Sequence, residues 1–153
     1  MTSAELSDLG VDFMVAAARL TRFASKHVTV MPHAAMRLLG RLDELGPTRI
    51  SDLARADRTS QPTMTALVQR QEEAGFVRRE HDPADSRASL ISLTPAGRHA
   101  LDKARREAGD ALAARLRLLS ETDLVRLRDA IPAMRAVLTL PEPSLVTPEV
   151  QPA

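Results

Sequence analysis

Between Arg58 and Arg70 the chain carries a basic residue at each end and no acid. The residues between them, TSQPTMTALVQ, are amides, hydroxyls and small apolar groups. These groups pair with base edges and thymine methyls; none is a nucleophile with a base beside it. At 100° per residue, Met64, Leu67, Val68 and Gln71 share one side of a helix. Pro62, Ala66 and Gln69 face the opposite way, flanked by Thr63, Thr65 and Arg70. Such a helix can pack on its own domain and present a small polar face to the major groove of DNA, which is wide enough for one α-helix. Its unpaired N–H groups and positive dipole end favour phosphates. The candidate contacts are therefore Ser60, Gln61, Pro62, Thr63, Thr65, Ala66, Gln69 and Arg70. Gln69 can pair with adenine, and Thr65 or Ala66 can touch a thymine methyl. The same pattern also fits an ordinary amphipathic helix with a solvated face.

A second candidate lies in the loop HDPADSR. Arg87 is placed at a hairpin tip, where the narrow minor groove attracts guanidinium. Asp85, two residues before, can brace it. An exposed loop pair of little energetic value is the alternative. Other chemistries find few residues. There is no Cys, which excludes disulfides, thiolate metal sites and thiol redox switching. The histidines His27, His33, His81 and His99 include no i, i+4 pair that would bring two imidazoles together on a helix, so no metal ligand is assigned. No catalytic triad, Gly-rich phosphate loop or paired-carboxylate motif is present. No enzyme activity and no cofactor are expected.

Periodicity and turn signals give the secondary structure around these residues. Residues 5–30 read as a helix with a seven-residue apolar repeat, Leu6, Phe13, Leu20, His27 in one row and Leu9, Ala16, Phe23, Val30 in the other. Pro32 breaks it. His33 to Leu45 forms a second helix with Met36, Leu39 and Leu42 on its core side, closed by Gly46-Pro47. Thr48 to Ile50 is a short strand candidate, and Ser51 can cap the helix SDLARA. Ser60 caps the next helix, Gln61 to Ala74, with Pro62 in its first turn and Gly75 beyond its end. FVRRE and ASLISL are short β-rich runs around a polar loop. Thr94-Pro95 opens an Ala-rich helix from Ala96 to Leu119, with Leu101, Ala104, Ala108, Ala111 and Leu112 on its apolar side. Ser120 opens the last helix, to about Leu138, with Pro132 inside it. The stretch 141–153 is Pro-rich and is expected to be extended or disordered.

Two short helices joined by a tight turn and followed by a hairpin make a helix-turn-helix with a wing. The helix order and a set of local motifs resemble the MarR family of transcription factors. The matching residues are Leu53-Ala54, Ser60, Pro62, Leu67-Val68 and Arg70. After them come Ala74-Gly75-Phe76-Val77, Asp82 to Arg87, and Leu93-Thr94-Pro95-Ala96-Gly97. Two departures stand out. Asp57-Arg58-Thr59 replaces the apolar-Gly-Val run usual before the capping Ser, so Arg58 must adopt positive φ or the turn must differ. Gln71 replaces a usual Leu.

The resemblance implies a mainly α protein with a small β-hairpin wing, whose terminal helices form a dimerisation lobe. It implies one MarR-like chain over 1–140, with dimerisation helices at 5–30 and 96–138 and a DNA-binding lobe at 48–95. The terminal seams carry more apolar surface than a compact reading domain needs. Leu6, Leu9, Phe13, Leu20, Leu124, Ile131 and Met134 are the dimer-interface candidates, although a seam packed within one chain fits the same pattern. The expected function is a ligand-responsive repressor that binds a pseudo-palindromic site on double-stranded DNA as a homodimer. A small-molecule effector, of unassigned identity, would bind between dimer helices and reading lobe. A metal-responsive regulator and a dimeric interaction module that does not bind DNA are the competing readings. The net charge of +1 favours none of them. The basic residues are almost all Arg, with only Lys26 and Lys103 as lysines, a bias that GC-rich coding explains without function. The first residues carry acids rather than a basic leader, and no apolar run is long enough for a membrane span. A cytoplasmic protein associated with the nucleoid is expected.

Overall fold

The computed structural model describes residues 1–141, the side chains of Ser86 and Arg87 aside; the Pro-rich stretch beyond Pro141 lies outside the described residues. The protein is mainly α-helical with one small sheet. In order, the elements are α1 (Ser3–Ser25), α2 (His33–Leu45), β1 (Thr48–Arg49), α3 (Ile50–Ala56), α4 (Gln61–Glu73), β2 (Val77–Asp82), β3 (Asp85–Leu93), α5 (Pro95–Leu116) and α6 (Glu121–Thr139). The antiparallel sheet has the order β1-β3-β2. The chain divides into two compact units between residues 114 and 115.

In the first unit the core lies under the sheet and α2–α4. Leu38, Leu39, Leu42, Leu53, Met64, Val68, Ile91 and Leu101 are its largest fully buried side chains. On α2 the inward residues are Ala35, Leu38, Leu39 and Leu42, with Met36 at the margin. Gly46 ends α2 at φ 73°, a left-handed conformation that suits glycine.

α1 is shorter than its heptad pattern suggests. It ends at Ser25, not at residue 30. The Thr21 and Ser25 hydroxyls donate to the carbonyls four residues back, and His27 Nδ1 lies 2.8 Å from the Phe23 carbonyl. Thr29 and Val30 then give their N–H groups to the Glu107 carboxylate on α5, at 2.7 and 3.3 Å. These bonds hold that carboxyl below its ordinary range, the Thr29 N–H foremost. Val28, Val30 and Met31 therefore pack on the core as a connector instead of continuing the α1 seam. Nothing on α1 is buried, and Leu6, Leu9, Phe13 and Leu20 stand exposed.

α5 starts one residue earlier than expected and ends at Leu116, where two successive turns replace its last expected residues. Gly97, Leu101 and Ala104 are its buried positions. In the second unit, Ser120 caps α6 by accepting the Asp123 N–H at 3.1 Å. Pro132 lies inside this helix. No residue of α6 is buried; Leu124 and Ile131 are exposed and Met134 is half-buried.

Candidate nucleic-acid interface

α3 follows β1 without a break. Arg49, the last strand residue, serves as N-cap, and Ser51 falls within the helix rather than capping it, because the chain turns directly from extended to helical at Ile50. α3 ends in a Schellman turn. The Thr59 N–H donates to the Ala54 carbonyl at 3.0 Å and the Arg58 N–H to the Arg55 carbonyl at 3.2 Å. Arg58 takes the left-handed position at φ 49°, the consequence of having no glycine there. Asp57, just before it, is held by Arg37 of α2 at 2.5 Å.

α4 then begins on Ser60, whose hydroxyl accepts the Thr63 N–H at 3.3 Å, with Pro62 in the first turn. The helix ends at Glu73, with Ala74 as C-cap. Gly75 follows at φ 74°, and the Phe76 N–H donates to the Gln71 carbonyl. Met64, Val68 and Gln71 are buried and Leu67 half-buried, so the inward side is the one the sequence period specifies. Gln71 sits at 8 % exposure, and among the described residues no fully buried side-chain polar atom lacks a partner.

The outward residues of α4 come together on one surface. Gln61, Pro62, Thr65, Ala66 and Gln69 line a single open depression. The Thr65 hydroxyl donates to the Gln61 carbonyl at 2.8 Å, a bond that consumes its donor within the helix. Gln69 Nε2 donates to Glu73 Oε1 at 3.1 Å. That bond uses one of its two N–H groups and leaves the other, with Oε1, for a paired contact to adenine. Thr63 and Arg70 flank this row and are exposed.

The wing is a longer hairpin than the sequence suggests. β2 reaches Asp82 and β3 starts at Asp85, so the expected seven-residue loop shrinks to Pro83-Ala84. The strands run on because Asp82 closes the turn itself, its carboxylate accepting the Ala84 N–H at 2.8 Å. The pairing shifts register between His81 and Asp82. Asp85 is exposed and opposite Asp82; Arg87 lies on β3, and its side chain is outside the described residues.

The hairpin is fastened to the helices by ion pairs that sequence reading did not single out. Asp82, at 7 % exposure, receives Arg49 Nε at 2.7 Å and Nη2 at 2.5 Å. Arg79 Nε reaches Glu72 of α4 at 2.8 Å, and Arg78 pairs with Glu80 at 2.7 Å. Neither arginine of β2 is thus a free cation. Arg49 and Asp82 are 33 positions apart, a separation with no local signature. The Ala84 N–H and then the Arg49 guanidinium hold the Asp82 carboxyl below the usual carboxylate range. A carboxyl lowered in the fold stabilises it above that range and loses this contribution as pH falls through the lowered value. Asp82→Asn is therefore expected to lower the melting temperature at neutral pH. The gap to wild type should close progressively in acid. Thermal melts of both proteins across a pH series check this, and a gap independent of pH would refute it.

Among the described residues, no group of three or more His, Asp or Glu side chains could hold a metal ion. His27 instead stacks on Phe23, with ring centroids 4.5 Å apart.

Two short helices, a tight turn and an attached antiparallel hairpin define a winged helix-turn-helix protein. Residues 31–89 match the MarR family. The Bacillus subtilis (strain 168) HTH-type transcriptional regulator YcgE is 40% identical over 62 residues, 40% of this chain and 40% of that protein. The Mycobacterium bovis HTH-type transcriptional regulator Mb0904 is 34% identical over 86 residues, 56% of this chain and 60% of that protein. A solved MarR family protein from Bacillus stearothermophilus superposes with a TM-score of 0.67 at 22% identity, covering 92% of this chain and 99% of that one. The chain is similar to the MarR family over those residues and shares the fold of this solved structure. It spans about half the length of the curated relatives it matches. Among the described residues, no helix is long and apolar enough to cross a membrane.

Proposed function

We propose that this chain is a DNA-binding transcriptional regulator that lays α4 in the major groove and the β2–β3 wing against the neighbouring backbone or minor groove. One observation carries the reading. The outward row Gln61, Pro62, Thr65, Ala66, Gln69 is exposed, continuous and uncharged, with hydrogen-bonding and methyl groups suited to base edges. Its relatives YcgE and Mb0904 are HTH-type transcriptional regulators, which supports it. In this reading Ser60, Gln61, Thr63 and Arg70 anchor the helix, and Pro62, Thr65, Ala66 and Gln69 face the bases. Asp85 and Arg87 serve the wing.

The working form is a homodimer on a pseudo-palindromic operator, with half-sites about one helical turn, ~10 bp, apart. The exposed Leu6, Leu9, Phe13 and Leu20 of α1 support this, as do Leu124 and Ile131 of α6, with Met134 beside them. Each is an apolar face that water would otherwise wet. Repression relieved by a small-molecule effector, in the cytoplasm at the nucleoid, is the mode of action that the family resemblance supports.

Phosphate-dominated affinity gives the first test. Binding to duplex DNA should weaken linearly in log–log coordinates with salt, with a slope near −0.9 per phosphate neutralised. Fluorescence anisotropy over a salt series reads it. A flat response would exclude groove binding.

A further inference from the structure

We propose that Arg58 is a phosphate-contacting residue of this interface, gripping the DNA backbone at one rim of the major groove while Arg70 serves the other. The proposal rests on the DNA-reading function above and adds a contact that the sequence motifs did not assign. Its starting point is the distribution of charge around the helix-turn-helix. Arg37 is paired with Asp57, Arg55 with Asp52, Arg49 with Asp82, Arg79 with Glu72 and Arg78 with Glu80. Arg58 and Arg70 make no side-chain ion pair or hydrogen bond among the described residues, and both are exposed. The acid nearest Arg58 in sequence, Asp57, is already engaged at 2.5 Å by Arg37 from another helix. The Arg58 charge is thereby left without a local counter-ion.

Placement gives that charge a direction. Arg58 stands in the turn two residues before the Ser60 cap, and Arg70 stands nine residues into the body of α4 from Gln61. At 1.5 Å per residue this stretch of helix rises roughly 14 Å. The major groove is about 12 Å wide. The residues between that face outward are all uncharged. A neutral row flanked by unpaired cations matches the division of labour in groove recognition, with bases read at the centre and phosphates held at the rims. Guanidinium suits the phosphate by geometry as well as charge.

The turn itself makes the proposal separable from a structural role. At φ 49° a glycine is the favoured residue, so Arg58→Gly should not harm the fold. The full-length wild type, Arg58→Gly and Arg58→Lys are compared for thermal melting. Each is then titrated with a random-sequence duplex pool long enough for two half-sites, over a salt series. Arg58→Gly is expected to melt no lower than wild type. It should bind about ten-fold more weakly at low salt, from one lost charge contact on each of two subunits. Its salt slope should be shallower by about 0.9 per subunit. Arg58→Lys, which keeps the charge, should stay near wild type. Affinity and slope unchanged in Arg58→Gly would overturn the proposal, as would Arg58→Lys binding as weakly as Arg58→Gly. A wild type that ignores duplex DNA altogether would instead remove the DNA-reading function on which the contact depends.

Discussion

Gly97→Ala is expected to lose about 3 kcal/mol of stability, because among the glycines only Gly97 has atoms within 4 Å of an added Cβ. A Cβ built at Gly97 would sit 2.0 Å from the Phe76 carbonyl oxygen, 2.8 Å from its carbon and 3.0 Å from Leu93 Cδ1. The first two are backbone atoms, which no rotamer change can move aside. The Phe76 carbonyl is also committed, accepting the Thr94 N–H at 3.0 Å and the Thr94 hydroxyl at 3.1 Å. Thr94 Oγ1 in turn accepts the Gly97 N–H at 3.0 Å as the first bond of α5. Relieving the clash therefore pulls the helix start away from the end of α4 and costs the cap as well, about 1 kcal/mol. For a chain of this size the melting temperature should fall by roughly 10 °C. Gly109→Ala is the internal control. It lies on the same helix, with nothing within 4 Å of its added Cβ, and should be neutral or slightly stabilising. Calorimetry of the two variants decides the matter. Equal melting for Gly97→Ala and wild type would show that α5 does not need this close approach.

The second large effect concerns the terminal helices. Leu9→Asp combined with Ile131→Asp should abolish the proposed dimer. In the single chain Leu9 is 57% exposed and Ile131 43% exposed, so neither substitution removes a core residue. Each buried leucine or isoleucine side chain contributes about 1.5–3 kcal/mol to an interface, and a symmetric dimer holds four such positions. Burying four carboxylates there adds a further penalty. The combined loss, roughly 6–12 kcal/mol, moves a nanomolar dimer to about 20 μM or weaker. Operator binding should collapse with it, because each monomer grips only one half-site. Analytical ultracentrifugation should show a folded monomer. An intact dimer in the double variant would place the interface elsewhere.

Both effects bear on what could be read in the sequence. The Leu-Thr-Pro-Ala-Gly run was legible as a cap and a helix start. Why its glycine is needed was not, because the clashing atoms belong to a strand entrance 21 positions away. α4 was legible almost to the residue, since Ser60, Pro62 and Gly75 each act within their own turn. A left-handed Arg58 was one of two outcomes that the missing glycine left open, a different turn being the other. Local signals misled where distant partners took over. The α1 seam continues through His27 and Val30 in pattern, but the Glu107 carboxylate draws the connector off the helix. Asp82 and Pro83 look like a loop, yet a two-residue turn closed by Asp82 keeps the strands paired. Ser51 looks like a cap, but the strand before it already sets the helix entry. The Arg49–Asp82 and Arg79–Glu72 pairs, which fasten the wing, join residues that neither composition nor period connects.

The proposed role of α4 is to read the sequence of duplex DNA. It is tested most directly by selecting bound duplexes from random sequence with wild type, Gln69→Ala and Arg87→Ala in parallel. Wild type should enrich a pseudo-palindrome with half-sites about one helical turn apart. Gln69→Ala should lose preference at one position per half-site, at a cost of roughly 1–3 kcal/mol on the best site. Arg87→Ala should weaken binding while keeping the major-groove positions intact. No enrichment by wild type, or core positions that change with Arg87→Ala and not with Gln69→Ala, would contradict the roles assigned to the helix and the wing.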